Sequence, residues 1–285
     1  MMKSVYRSLG NKFGSEKRLK SNVPNYYIDR IKRYVNLNKK HRVFNDGDRL
    51  LEVGTGWVHW EALSIRLFFE IEAFLFDVWD NRQLDALKQY CIFLRDSIDS
   101  EIDIDPRRKE HALYLIEAIN STSSFEDLYK LVGFKYFIDP KGKLNIFGNE
   151  SFDVIVSAGV LEHINKNFVA EYVHEFYRLL KPGGYSIHTV NMADHLSYYD
   201  SSASPKNYLK YSDTIWKVFF ENEVQYFNRI QKAEWLKLFK EAGLILIEEE
   251  SNYTDLSKVR VRGRYRAMER EDLECINVKL LHVKP

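Results

Sequence analysis

Leu50-Leu51-Glu52-Val53-Gly54-Thr55-Gly56-Trp57 is a short apolar run that stops at two glycines and passes at once into a helical pattern. That order predicts a strand over Arg49–Val53, a tight turn, and a helix from about Val58 to Phe69. Glycine suits such a turn because it tolerates positive φ, and because without a Cβ it lets a ligand approach the backbone. The stretch reads as a cradle for a cofactor. A lone G-x-G occurs in many ordinary turns, so the reading rests on the rest of the chain.

Downstream, strands and helices alternate. Ile71 to Phe76 is a second buried strand closed by Asp77, and Gln83 to Leu94 has helical periodicity. Two inserted helices follow, His111 to Ile119 and one begun by Ser123, with Glu126 at capping-box spacing. Phe134 to Ile138 is the third strand, stopped by Asp139-Pro140, and Asp153 to Ser157 is the fourth. Asn167 to Leu180 is an amphipathic helix with Phe168, Tyr172, Phe176 and Leu179 on one stripe. Lys181-Pro182-Gly183-Gly184 breaks that helix ahead of a fifth strand, Tyr185 to Val190. A helix from Gln231 to Ala242, stopped by Gly243, precedes a sixth strand, Leu244 to Glu248, and a last one, Ile276 to Val283. The alternation argues for an α/β protein with a parallel, doubly wound sheet.

Composition is that of an ordinary globular protein, 45% hydrophobic and 29% charged over 285 residues, and the net charge of +1 gives no global pull towards nucleic acid or membrane. Charge is biased locally: residues 1–43 hold about a dozen Lys and Arg against Glu16 and Asp29. In the same stretch Tyr27, Ile28, Ile31 and Val35 recur at helical spacing, which favours an amphipathic helix with its lysines in water. Cys91 and Cys275 sit in apolar segments without a C-x-x-C or nearby His, as buried free thiols would. No run approaches the roughly 18 apolar residues of a membrane span, and the start lacks an apolar leader, so a cytoplasmic protein is expected.

In a doubly wound sheet the ligand lies beyond the carboxyl ends of the strands, where strand order reverses. Asp77, about twenty residues past the glycines, suits a ribose diol, because one carboxylate accepts from both hydroxyls. NAD and S-adenosylmethionine both carry that diol. A dinucleotide site wants G-x-G-x-x-G, but here His59 holds the third place and Trp57 and Val58 add bulk. Glu52, read as an acid at the rim, repels a pyrophosphate and suits an ammonium and a sulfonium. The residues lean towards S-adenosylmethionine and leave NAD open.

LLEVGTGW resembles the first motif of the class I S-adenosylmethionine-dependent methyltransferases. SFDVIVSAGVLEHI resembles their fourth-strand motif, LLKPGGYSIHTV the turn and fifth strand after it, and AEWLKLFKEAGLILIE the next helix and strand. The likeness is to the small-molecule, type 11-like members and covers roughly residues 48–190 before that extension. It implies a Rossmann-like, mostly parallel seven-stranded sheet with an antiparallel last strand, helical insertions and a lid, and S-adenosyl-L-methionine as methyl donor. It places Glu52, Gly54, Thr55 and Gly56 at the methionine end, Asp77 on the ribose, and Ser157, Ala158 and Gly159 beside the methionine moiety. Asp139 falls near the adenine. Val58 departs from the pattern, standing where the family's loop has its third glycine.

One domain over 1–285 is expected: a basic helical lead-in (1–43), a cofactor-binding core (48–190), an aromatic lid (191–229) and a C-terminal helix with strands (230–285). The aromatic segment reads equally as a satellite core for the inserted helices. Methyl transfer is an in-line displacement, so the protein must align the acceptor and, for a hydroxyl, remove a proton. Asp194-His195, just past the fifth strand, is a candidate base with its orienting acid; a helix cap beside a surface His is the plain alternative. His163 is a further candidate for a direct catalytic role; a His in a strand-to-helix loop that is only hydrogen-bonded to backbone is the plain alternative.

Ser157-Ala158-Gly159-Val160 is not the Asn/Asp-Pro-Pro-Tyr/Phe of nucleobase-amine enzymes, and no cysteine closes a strand to attack a pyrimidine. Glu162 and Asp194 alone are thin support for a metal, so none is expected. The expected reaction is methyl transfer from S-adenosyl-L-methionine to a hydroxyl or amine of a small metabolite or saccharide precursor. Two other classes stay open. One is an RNA-directed methyltransferase or RNA-binding adaptor using the basic N-terminus and Arg260, Arg262, Arg264 and Arg266, a run more readily read as an exposed strand edge. The other is a non-catalytic nucleoside-binding protein. Nucleic acid is the less favoured partner, and a homodimer is left open.

Overall fold

A computed structural model describes residues 24–200, 202–221 and 226–285. Most of the basic lead-in, residues 1–23, lies outside the described residues. The chain forms two compact units, Met1–Val156 and Ser157–Pro285.

In the first unit α1 (Asn25–His41) buries Ile28, Ile31, Tyr34, Val35 and Leu37, a stripe at helical spacing, and leaves its lysines outside. β1 (Arg49–Val53) is apolar on both faces, with Leu50 and Leu51 fully buried. That is the pattern of an inner strand covered on both sides. α2 (Trp60–Arg66), β2 (Glu72–Asp77), α3 (Leu84–Glu101), α4 (Pro106–Asn120), α5 (Phe125–Val132), β3 (Phe134–Ile138) and β4 (Phe152–Ala158) complete the alternation. Leu51 of β1 stands opposite Phe74 of β2 on one side and Ile155 of β4 on the other, all three strands parallel. Strand order therefore reverses at β1, where a ligand crevice belongs.

The second unit holds α6 (Val169–Leu179), β5 (Leu180–Asn191), α7 (Asp213–Phe219), α8 (Lys232–Glu241), β6 (Ile245–Tyr253), α9 (Arg270–Glu274) and β7 (Cys275–Val283). Strand order in the sheet is β3-β2-β1-β4-β5-β7-β6, seven strands, with β7 antiparallel to both β5 and β6. The mixed seven-stranded architecture expected from the sequence is the one observed.

Several boundaries differ from expectation for local reasons. α5 is capped by Ser124, not Ser123: its hydroxyl accepts the Asp127 N–H at 3.1 Å, and Asp127 rather than Glu126 sits three residues on. Lys181-Pro182-Gly183-Gly184 is no turn but the start of β5, because the chain's last residues pair with it. The Gly183 N–H donates to the Lys284 carbonyl (2.8 Å) and the Lys284 N–H to the Gly184 carbonyl (2.9 Å). β6 runs five residues past Glu248, a polar stretch that β7 carries as an edge strand.

The aromatic segment 191–229 divides. Tyr208, Leu209, Trp216 and Phe227 join Leu256, Val259, Tyr265 and Leu273 in a satellite core, while Tyr198, Tyr199 and Phe219 are exposed. Lys206 plugs that core from inside, fully buried, its ammonium donating to the Tyr208 hydroxyl (3.0 Å) and to Gln231 Oε1 (2.9 Å). Burial drives its pKa down to about 7. The arginine run 260–266 is not a strand: Val259 and Tyr265 point into the same core, and Gly263–Ala267 forms a short 3-10 helix. Cys91 and Cys275 are buried free thiols.

Leu51→Ala removes a side chain with no exposed surface and should cost about 2–5 kcal/mol of unfolding free energy. Leu196→Ala, at a position 47% exposed, should stay within about 0.5 kcal/mol. Urea denaturation of the two variants checks the contrast.

Candidate active site

The turn after β1 is shaped by β2. Gly54 (φ 73°) and Gly56 (φ 61°) both occupy the left-handed region. A Cβ on Gly56 would meet nothing within 4 Å, so glycine is needed there for its backbone, and the turn borders open space. The Gly54 N–H donates to the Phe76 carbonyl (2.8 Å) and the Gly56 N–H to Asp77 Oδ2 (3.0 Å); Asp77 Oδ1 accepts from the Val78 N–H (2.7 Å). One carboxylate thus pins the glycine turn to the end of the neighbouring strand.

Residues 78–83 close on the same turn. Oriented to satisfy both its groups, the Asn81 amide donates to the Gly56 carbonyl (2.9 Å) and accepts from the Trp79 indole N–H (3.0 Å). The Gln83 N–H donates to the Trp57 carbonyl (2.9 Å). Asp77 is therefore not a helix cap, since α3 starts at Leu84 under Gln83. Burial raises the Asp77 pKa, against the N–H groups of Val78, Gly56 and Trp79, which favour the charged form. Beside it Thr55 Oγ1 is buried and has no hydrogen-bond partner among the described residues.

Glu52 is not at the rim. It is 2% exposed, and Oε2 accepts the Ala62 N–H (2.8 Å) in the first turn of α2, where the helix leaves donors unpaired. Glu61 lies nearby, held by Arg30 at 2.6 Å and by the Tyr34 hydroxyl. Burial first, and the Glu61 carboxylate second, push the Glu52 pKa well above the usual range. His59, in the third place of a dinucleotide pattern, is a core residue: it begins α2 in the left-handed region (φ 47°) and meets the Tyr129 hydroxyl at 2.8 Å through Nε2. Burial drives its pKa down to about 3. Val58 is buried beside it. Asp139 uses its carboxylate locally, accepting the N–H groups of Lys141 (2.9 Å) and Lys143 (3.1 Å), and its own N–H donates to the Asp77 carbonyl (3.1 Å).

In the second unit Ser157 turns inward. Its hydroxyl meets His188 Nδ1 at 2.7 Å, and the other ring nitrogen meets Ser186 Oγ at 2.6 Å. Ala158 is half-buried; Gly159 is exposed at φ 68°, its N–H donating to the Thr189 carbonyl (3.0 Å).

The next turn carries the histidines. His163 Nδ1 lies 2.7 Å from the Tyr226 carbonyl, which can only accept, so Nδ1 bears a hydrogen and Nε2 is the nitrogen outside this contact. The His195 ring is centred 5.2 Å from it and packs on Tyr198 (5.6 Å) and Phe227 (5.0 Å). Burial, and then the neighbouring His163, lower the His195 pKa to about 4, so this ring is neutral at pH 7. Asp194 does not orient it: Oδ1 caps the short helix His195–Tyr198 by accepting the Leu196 N–H (3.0 Å), and among the described residues no hydrogen bond joins it to His195.

The pairing of three residues in this neighbourhood, Asn191, Tyr198 and Glu162, escapes sequence reading. Asn191 Nδ2 donates to the Tyr198 hydroxyl, and the Asn191 N–H to Glu162 Oε1 (3.3 Å). Only the aromatic density of the segment hinted at Tyr198.

The sheet order and the turn pinned between β1 and β2 make this a class I methyltransferase fold, and the methyl donor of such an enzyme is S-adenosyl-L-methionine. Residues 19–249 match the model of the family described as methyltransferase domain, most of the chain, and the chain belongs to that family. Among solved structures, a putative methyltransferase from Bacillus halodurans C-125 is 17% identical, with 88% of this chain and 98% of that one covered and a TM-score of 0.49. Phosphoethanolamine N-methyltransferase 2 of Haemonchus contortus, solved with S-adenosyl-L-methionine, is 15% identical at a TM-score of 0.49; 89% of this chain aligns with 52% of that one, about half its length. A putative methyltransferase in complex with the Haloferax volcanii Trm112 methyltransferase activator is 16% identical, covering 93% and 100% of the two chains at a TM-score of 0.43. No curated protein matches the chain.

An acid with a higher pKa folded than unfolded contributes its stability below the unfolded value, and that contribution is lost as pH rises through the folded value. Glu52→Gln keeps an oxygen for the Ala62 N–H and removes the titration. Melting temperature should therefore fall as pH rises above the ordinary carboxylate value of 4.5 in the wild type and less steeply in Glu52→Gln, as calorimetry at a series of pH values from there upward will show.

Proposed function

We propose that the enzyme methylates a hydroxyl or amine of a small metabolite or saccharide precursor, with His163 as general base. The observation that carries this reading is the His163 Nδ1 contact with the Tyr226 carbonyl, which leaves Nε2 free to take a proton. As the ring gains charge, the same carbonyl stabilises the imidazolium through Nδ1–H. His195 stays neutral beside it and lends an aromatic wall with Phe227. The Tyr198 hydroxyl and the Asn191 amide, paired to each other next to these rings, suit an acceptor carrying several hydroxyls.

The donor, when bound, supplies a methyl group on a positively charged sulfur. The residues that would hold it in the first unit are Gly54, Thr55, Gly56 and Asp77. They fit: the turn borders open space, the Thr55 hydroxyl is buried and unpartnered among the described residues, and Asp77 presents a carboxylate to a diol. Asp139 and the Ser157-Ala158-Gly159 backbone keep the roles implied by the resemblance. Glu52, turned into α2, contributes by holding that helix and not by touching the ligand.

Asp77→Ala should weaken donor binding at least about tenfold, because it removes a charged acceptor and frees the Gly56 N–H. Titration calorimetry with S-adenosyl-L-methionine measures it, and an unchanged affinity would remove Asp77 from the donor site. His163→Gln should keep donor affinity while turnover falls by about 10²–10⁴-fold. The acceptor is found by incubating enzyme and labelled donor with fractionated cell metabolites and weighing the product; His163→Gln is then assayed on it.

A further inference from the structure

We infer that the second unit docks on an anionic lipid surface through α7 and the arginine run beside it. α7 is apolar on two sides. Trp216 faces the satellite core, whereas Ile215, Val218 and Phe219, one face at helical spacing, point away from it. Val218 is 67% exposed and Phe219 75%, and Phe220 at the helix end is exposed as well. A soluble surface rarely carries neighbouring large apolar side chains this open unless something covers them.

Charge identifies the cover. Gly263 backs onto Ser212, the residue before α7: a Cβ there would stand 3.3 Å from the Ser212 Cα. The Arg262 N–H donates to the Leu209 carbonyl (2.8 Å), and Val259 and Tyr265 share the core with Trp216. The alternation that sends Val259 and Tyr265 inward leaves Arg260, Arg262 and Arg266 exposed, with Lys217 on α7. Among the described residues none of these four forms a salt bridge, and Asp213, the acid of α7, is already taken by Arg229 at 3.0 Å. An exposed apolar helix face flanked by unpaired cations matches a bilayer interface, with rings and aliphatic groups below anionic headgroups and guanidinium groups among them. A soluble polyanion would use the arginines and leave the apolar face unexplained.

The test is independent of the donor site and of turnover. The whole protein is sedimented with vesicles of phosphatidylglycerol and phosphatidylcholine, and with phosphatidylcholine alone. Binding is expected to the anionic vesicles only, weakening as salt rises. Phe219→Glu and Val218→Asp, both at exposed positions, should each lower affinity at least about tenfold, as should the double variant Arg260→Glu/Arg262→Glu, with melting temperatures near the wild type. Failure of the wild type to sediment with anionic vesicles overturns the proposal, as does unaltered binding by both helix variants. Loss of binding in the arginine variant alone overturns it in favour of adsorption by charge without the helix face.

Discussion

A buried carboxylate that must find donors organises the first half of this enzyme. Asp77 is largely out of water at the end of β2, and the nearest donors are the Val78 N–H and, across the strand gap, the Gly56 N–H. Left unpaired, a charge in that position would cost several kcal/mol, on the order of a large share of the whole stability of a domain. Satisfying it draws the turn after β1 into one path. Glycine is required on that path because both Gly54 and Gly56 take positive φ, where a side chain costs roughly 1–2 kcal/mol. The loop at Asn81 and Gln83 then seals the turn from the other side. Chain geometry and candidate ligand site are thus one arrangement.

In the second half the organising constraint is aromatic packing. His195, Phe227, Trp216 and Tyr208 form a chain of ring contacts, each about 5–6 Å centre to centre, that links the candidate catalytic histidines to the satellite core. A histidine sunk in that array is held neutral, whereas His163, exposed and donating to a carbonyl, keeps a nitrogen available for chemistry. Two imidazoles that look alike in sequence are divided by environment.

What could be read in advance follows the range of the forces involved. β1, β2 and β3 were legible because an apolar run between turn residues is a local signal, and β3 matches residue for residue. The glycine turn and Asp77 were legible as neighbours because parallel strands joined by one helix bring their carboxyl ends together. Glu52 was misread because direction along a strand is set by the pleat: one step from Val53 turns its carboxylate beneath α2, a contact ten residues away. Asp194 was assigned to His195 by adjacency, but the nearest unpaired donor was the Leu196 N–H of its own turn. The start of β5 at Leu180 is hidden from the sequence because the partner of its first residues is the last stretch of chain, about a hundred residues on.

By itself the sequence determined the alternation of strands and helices, the glycine turn, the acid that closes β2 and the family they announce, since each rests on residue type and short spacing. Only the tertiary structure decided which of those side chains face open space. Glu52 and His59 went into the core, Asp194 into a cap, Trp216 inward and Phe219 outward. The physical reason is that exposure is fixed by what packs on the far side of an element, and those partners come from distant parts of the chain.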